Sequence, residues 1–350
     1  MRVLMICPSW GRACGIAYYT GHLRDGLKAI GVESEVVTHP SAIDRALKEG
    51  AFDGVLMQHE YGLYYFNLVT VLTQVSRSGL PTVLTMHNTD HRAWMGAQHL
   101  FLFREPFIFV VHSELARSNL LRAATPPDKS RLIVVPMGCP DYGAFDPVDE
   151  VRRELGLPGG GFVVGFFGFA SAHKGIPNLV RAIDLIPDAI GYIRATAHPT
   201  NSAAVDEIYR DLDLPRSSPT RNVSGRVTLC HEAIPDDRVG SYQHAMDVIV
   251  LPYIRHGASI STSMQAHVSL PAGRPLVVTN EVYFSDFSNQ VIKIPDPRPQ
   301  TIARMVKILQ SRPGACHVVV ARATRYAQEN SWPSVAWRYL DLLERARELR

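Results

Sequence analysis

Short apolar runs alternate along the chain with longer stretches in which apolar positions recur every three or four residues. The first run, Val3–Ile6, is apolar throughout, as expected of a parallel strand covered on both faces. Ala17–Ile30 follows as a helix, with Leu23, Leu27 and Ile30 on one stripe. The alternation continues with strands at Ser34–Thr38, Gly54–Met57, Pro81–Met86, Phe107–Val111 and Leu132–Val135. Helices intervene at Ser41–Lys48, Tyr65–Ser76 and Glu114–Arg122. Strands interleaved with helices in this way predict a doubly wound α/β domain, placed at residues 1–145.

The pattern breaks between Pro140 and Gly161, where prolines, a glycine triplet and one helix (Glu150–Leu155) predict a linker. It restarts with Phe162–Phe167. Further strands are expected at Ala189–Thr196, Val227–Cys230, Val248–Leu251, Pro275–Thr279 and Val291–Ile294. Helices are expected at Gly175–Asp184, Ala203–Leu212, Pro235–His244, Ser261–Leu270 and Thr301–Leu309, and a polar loop at Arg216–Gly225. A second α/β domain is therefore placed at 146–333. In the last stretch, 334–350, Val335, Tyr339, Leu342 and Leu343 stand at helical spacing, which predicts a closing amphipathic helix. Two such domains would face each other across a cleft lined by the carboxyl ends of their strands.

Composition agrees. A chain of 350 residues suits two domains, and 46% hydrophobic with 20% charged residues excludes disorder as the main state. Thirty-six basic residues against 33 acidic ones give a net charge of +3, too small a basic excess for a dedicated nucleic-acid binder. The basic side is nearly all arginine. There are only six lysines, which makes Lys174, at a strand-to-helix junction, stand out. The five cysteines are widely spaced, without a CxxC pair, which argues against a disulfide framework or a structural zinc site. No run is long enough for a membrane span, and the opening apolar run is too short for a signal peptide. A cytoplasmic location is expected.

The residues that suggest chemistry lie just after strands. Cys14-Gly15-Ile16-Ala17-Tyr18-Tyr19-Thr20 opens a helix, where glycine permits close backbone approach and free N–H groups can receive an anion. Gln58-His59-Glu60-Tyr61-Gly62 and His87-Asn88-Thr89-Asp90-His91 form polar clusters on the presumed cleft rim. Their histidines lack HxH or HExxH spacing, so no metal site is expected. Gly168-Phe169-Ala170-Ser171-Ala172-His173-Lys174-Gly175 brings a lysine to a helix start, where it can neutralise a phosphate. Ser261-Thr262-Ser263-Met264 offers hydroxyls and N–H groups as a second anion cradle, or an ordinary helix cap. Neither GxGxxG nor GxxxxGK[ST] occurs, which disfavours a dinucleotide-dependent dehydrogenase and a P-loop enzyme.

Taken in order, these segments resemble retaining GT-B glycosyltransferases of family 4 (glycosyl transferases group 1). CGIAYYT (14–20) is similar to that group's CGIATYT, QHEYG (58–62) to QHEFG, TMHN (85–88) to TLHT, and VPMGCPD (135–141) to IPHGVPD. GFASAHKG (168–175) resembles the donor-phosphate segment ending in KG, and LPAGRPLVVT (270–279) the stretch AAGKPVVAT. Asn330-Ser331-Trp332 resembles the tryptophan-bearing segment before the last helix. There are two departures. The paired-Glu motif is absent, with Ile260 and Val268 at its positions, and Ser261-Thr262-Ser263 fits the SSSGT-like segment of the QHEFG branch. Phe169 stands where an arginine is usual.

The resemblance implies a GT-B fold of two Rossmann-like domains, the first binding acceptor and the second a nucleotide sugar, with the last helix packing back on the first. It implies metal-independent transfer of a sugar from a UDP- or GDP-sugar to a hydroxyl acceptor (a glycan, a lipid-linked sugar or a small molecule), with retention and with no cofactor beyond the co-substrate. His87 and Lys174 are the implied catalytic residues. Gly15, Ile16, Gly168, Lys174, Ser261, Thr262, Ser263 and Met264 are the implied donor-binding residues, with Tyr18, His59 and Glu60 on the acceptor side. The base is expected near His231–Ile234. Two other readings stand beside this one: a glycosyltransferase acting on DNA or another polyanion, and a catalytically weak donor-binding partner or regulatory homologue.

Overall fold

A computed structural model describes residues 1–349 apart from 65–66, 91–92, 159, 199–200, 202, 215–219 and 224. The chain divides into two units. The first comprises Met1–Gly138, Gly257–Met264 and Asn330–Arg350, and the second Cys139–His256 and Gln265–Glu329. Segment Gly257–Met264, read from sequence as part of the second domain, thus folds with the first.

In chain order the first unit carries β1 (Arg2–Ile6), β2 (Glu33–Val37), β3 (Gly54–His59), β4 (Thr82–Met86), the two-residue β5 (Asn88–Thr89), β6 (Ile108–Val111) and β7 (Leu132–Val134). Six of these form one parallel sheet in the order β2-β1-β3-β4-β6-β7. The central strands β3, β4 and β6 are buried at every position, which explains why they read as mainly apolar runs. One face is covered by helix Gly15–Ala29 and by the last helix, Trp332–Glu348. Leu23 and Leu27 from the former and Val335, Tyr339 and Leu343 from the latter share a core with Val3, Met5 and Leu56. The last helix opens with the Ser331 hydroxyl accepting from the Ser334 N–H and with Pro333 in its first turn.

The second unit carries β8 (Phe162–Phe169), β9 (Ala189–Thr196), β10 (Thr220–Val223), β11 (Val227–Cys230) and β12 (Val248–Leu251). After these comes β13 (Ile260–Ser261), which lies in the first unit, followed by β14 (Leu276–Thr279) and β15 (Ile292–Ile294). The sheet order is β10-β11-β9-β8-β12-β14-β15, with β10 antiparallel and the rest parallel. Phe166, Ile193, Ile249 and Val277 are among the residues of its core.

The strands read from the apolar runs all occur. The fold is α/β, of two Rossmann-like halves. The helix expected at Ser261–Leu270 begins only at Met264, because Ile260–Ser261 pairs antiparallel with Asn88–Thr89. The helix expected from Tyr65 begins at Leu68, and Tyr65 itself lies outside the described residues. So do His91 and much of the Arg216–Gly225 loop. Helices Ala93–Leu102 and His317–Glu329 were not legible, the first because it is apolar on nearly every side and shows no stripe.

Candidate functional site

Each sheet has a point at which the strand order reverses, and in doubly wound sheets ligands bind there, beyond the strands' carboxyl ends. In the first sheet it lies between β1 and β3. The chain leaving β1 reaches Gly15 and Ile16, the first residues of helix Gly15–Ala29. Cys14 at the cap makes no side-chain hydrogen bond there, so the first N–H groups are not capped by it. Gly15 is exposed, with open space where a Cβ would stand, and Ile16 is half-buried, its carbonyl accepting from the Thr20 hydroxyl. Tyr18 points outward, 43% exposed.

Register then builds a polar stripe. Gln58 pairs with Thr85, and Thr85 with Val110, across β3, β4 and β6. Side chains alternate along strands, so Gln58, Thr85, His87 and His112 share one face, and His87 lies level with His112. The His87 N–H continues the ladder to the His59 carbonyl at 3.0 Å. His87 Nε2 lies 2.8 Å from Gln58 Oε1, and His87 Nδ1 lies 3.4 Å from His112 Nε2. The His112 Nδ1–H donates to the Val135 carbonyl at 2.9 Å. Tyr19 sets its ring edge-on to His87 with centroids 4.7 Å apart. Burial drives the His87 pKa well below its ordinary value, so its ring is neutral at physiological pH.

His59, expected on the acceptor side, points to the opposite face and has no exposed surface. Its ring stacks on Tyr64, with Nε2 3.1 Å from Gln98 Oε1, and burial lowers its pKa to about 4. It supports the strand end and presents nothing to a ligand. Glu60 is half-buried, its carboxylate accepting from the Gly62 N–H at 2.8 Å. Ser261 is held in the β13–β5 ribbon opposite Asn88, and the Ser259 hydroxyl donates to the buried Asp90 carboxylate at 2.9 Å. Ser263 is buried, while Thr262 and Met264 are half-buried. The helix opening at Met264 is six residues long. Among the described residues no group of three or more His, Cys, Asp or Glu side chains could hold a metal ion.

In the second sheet the order reverses between β8 and β12. β8 runs to Phe169 through Gly168, whose φ of +139° suits glycine, and a tight turn, Ala172–Lys174, follows. Gly175 closes the turn at φ +65°, and an added Cβ would overlap the Pro252 carbonyl. The loop after β12 is tied to this turn by the Ile254 N–H donating to the His173 carbonyl at 2.8 Å. Tyr253 brings its ring to 3.8 Å from Lys174 Nζ. Burial lowers the Lys174 pKa to about 7, with no carboxylate among the described residues to offset it. Phe169 packs edge-on to His198.

Arg194 was missed by sequence reasoning. Its guanidinium donates to the carbonyls of Glu232 and Ala233 at 2.9 and 2.8 Å and to the Tyr192 hydroxyl at 2.9 Å. It pins the loop after β11, and an arginine inside the otherwise apolar run of β9 is the signal the sequence carries.

No family model and no curated protein matches this chain. Solved structures do. Anabaena HepE, in complex with UDP, is similar over 99% of this chain and 100% of its own, with a TM-score of 0.76 at 15% identity. A glycosyltransferase from Rickettsia africae is similar over 99% and 98%, with a TM-score of 0.75 at 13% identity. Sucrose-phosphate synthase from Thermosynechococcus elongatus is similar over 100% of both chains, with a TM-score of 0.74 at 13% identity. At such identities the likeness establishes the fold, which is GT-B.

Proposed function

We propose that the protein is a glycosyltransferase that moves a sugar from a nucleoside-diphosphate sugar, UDP- or GDP-linked, to a hydroxyl acceptor with retention at the anomeric carbon. The observation that carries this reading is Lys174. It stands beyond the carboxyl end of β8, at the reversal point of the second sheet, on a turn that tolerates only glycine at its close. The similar HepE structures containing UDP and UDP-glucose support the donor class.

Sugar transfer requires charge to be stabilised twice, on the departing diphosphate and on the oxocarbenium-like sugar. Lys174 takes the diphosphate charge and regains its proton in doing so. Gly168 gives the ligand room. In the first unit, Gly15 and Ile16 offer backbone N–H groups to an anion, and Ser261–Met264 contribute N–H groups and hydroxyls. His87, neutral and held between Gln58 and His112, would meet a sugar or acceptor hydroxyl by exchanging its Gln58 partner, and Tyr18 and Glu60 are assigned to the acceptor side. With lysine and backbone N–H groups carrying the charge, the reading needs no divalent metal.

The test is thermal stabilisation by a panel of UDP- and GDP-sugars, followed by product NMR for anomeric configuration with the donor that binds. A positive shift in the wild type that Lys174→Ala abolishes, together with a product of the donor's configuration, supports the reading. No shift with any donor overturns it, and an inverted product overturns retention.

A further inference from the structure

The stripe across β3, β4 and β6 holds more than His87 needs for burial. We infer that His112 is a positioning residue for His87: it fixes His87 as the Nδ1–H tautomer and thereby makes Nε2 a hydrogen-bond acceptor.

The argument runs by elimination along one chain of atoms. His112 Nδ1 lies 2.9 Å from the Val135 carbonyl, which can only accept, so this nitrogen carries the proton. The His112 Nε2 of a neutral ring is then a bare lone pair, facing His87 Nδ1 at 3.4 Å. If His87 carried its proton on Nε2, two lone pairs would oppose each other in a buried site. If it carries the proton on Nδ1, the contact becomes a donor–acceptor pair. A ring protonated on both nitrogens would also satisfy the contact, but burial disfavours that cation.

The other end of the chain agrees. His87 Nε2 lies 2.8 Å from the Gln58 amide oxygen, while Gln58 Nε2 is buried without a partner. A half-turn of the amide exchanges the two ends and gives the nitrogen an acceptor in His87 Nε2. A buried amide N–H left unpaired is the costlier orphan. The chain then reads Gln58 N–H to His87 Nε2, His87 Nδ1–H to His112 Nε2, and His112 Nδ1–H to the Val135 carbonyl. Tyr19 holds both rings, with centroids 4.7 Å from His87 and 5.2 Å from His112.

The consequence concerns substrate chemistry and rests on the glycosyltransferase reading. His87 Nε2 is engaged by the Gln58 amide in the free protein, so a ligand hydroxyl would reach it only by taking the place of that amide N–H as donor, and the ring could not act as a proton donor through Nε2.

Imidazole 15N NMR of the whole, unliganded protein tests the tautomer independently of activity. The wild type should show His87 and His112 protonated on Nδ1 and not on Nε2. His112→Leu should move His87 toward Nε2–H, and His112→Gln, which keeps an acceptor near the place of Nε2, should restore Nδ1–H. An Nε2–H signal for wild-type His87, or no change in the Leu variant with the other histidine signals intact, overturns the inference. The wild-type spectrum decides even if a variant misfolds. Absence of sugar transfer with the tautomer as stated would instead fault the functional reading alone.

Discussion

The hydroxyls of Tyr19 and Tyr339 lie 2.8 Å apart although their residues are 320 positions apart in sequence. Tyr339 also reaches the Thr85 hydroxyl at 2.7 Å. All three side chains are buried, so the last helix meets helix Gly15–Ala29 and the polar stripe of β4 through one short hydroxyl chain.

Tyr339→Phe removes the middle of that chain and leaves two buried hydroxyls short of a partner. The expected cost is about 1–3 kcal/mol, read by urea unfolding. Removing the Tyr19 hydroxyl as well, in the Tyr19→Phe/Tyr339→Phe double variant, should cost less than the sum of the single changes. Strict additivity would show that the pair is uncoupled.

Lys174 makes donor binding pH-dependent. In the free protein its pKa is about 7, and a diphosphate favours the charged form. Above pH 7 binding must therefore take up a proton, and the donor Kd should rise about tenfold per pH unit, flattening below 7. Lys174→Met should remove this dependence and weaken binding by roughly tenfold to a hundredfold, the worth of a charged hydrogen bond. Isothermal titration calorimetry in buffers of different ionisation enthalpy reads the proton uptake directly.

The same shift carries a stability prediction of opposite sense. A lysine whose folded pKa is lowered binds fewer protons folded than unfolded between pH 7 and the ordinary lysine pKa, so stability rises with pH across that window. Below pH 7 the burial penalty is fully present. Lys174→Met should then raise Tm at pH 6 by more than at pH 9. An equal change at both values would remove charge burial as the cause.

Trp332 is set between two glycines. A Cβ on Gly138 would overlap its indole ring, and one on Gly26 would stand 2.5 Å from its carbonyl oxygen. Gly138→Ala should destabilise by about 1–3 kcal/mol, the usual cost of overpacking a core. Near-UV circular dichroism should report the displaced indole. An unchanged spectrum and unchanged Tm would show that the ring moves aside freely.

The fold was legible because parallel strands buried on both faces write themselves as apolar runs, and β3, β4 and β8 did so. Lys174 was legible because a rare lysine followed by glycine marks a strand-to-helix turn. The stripe of Gln58, His87 and His112 was not, because sheet order decides which strands are neighbours and sequence does not state it. The same limit turned His59 from a ligand candidate into a sealed support: it is adjacent to Gln58 in sequence but on the opposite face. Ser261 read as a helix start, yet long-range pairing with Asn88 took that residue into a ribbon, overriding local preference.

The last helix belongs to the unit whose strands are made first. During synthesis, β1 to β7 emerge from the ribosome long before Trp332 and Tyr339 exist, so Tyr19 and Met5 wait with part of their apolar cover missing. The second unit, contained between Cys139 and Glu329, has all its own strands earlier. The half that starts first is therefore completed last, and its exposed sheet face is the surface a chaperone would have to guard in the interval.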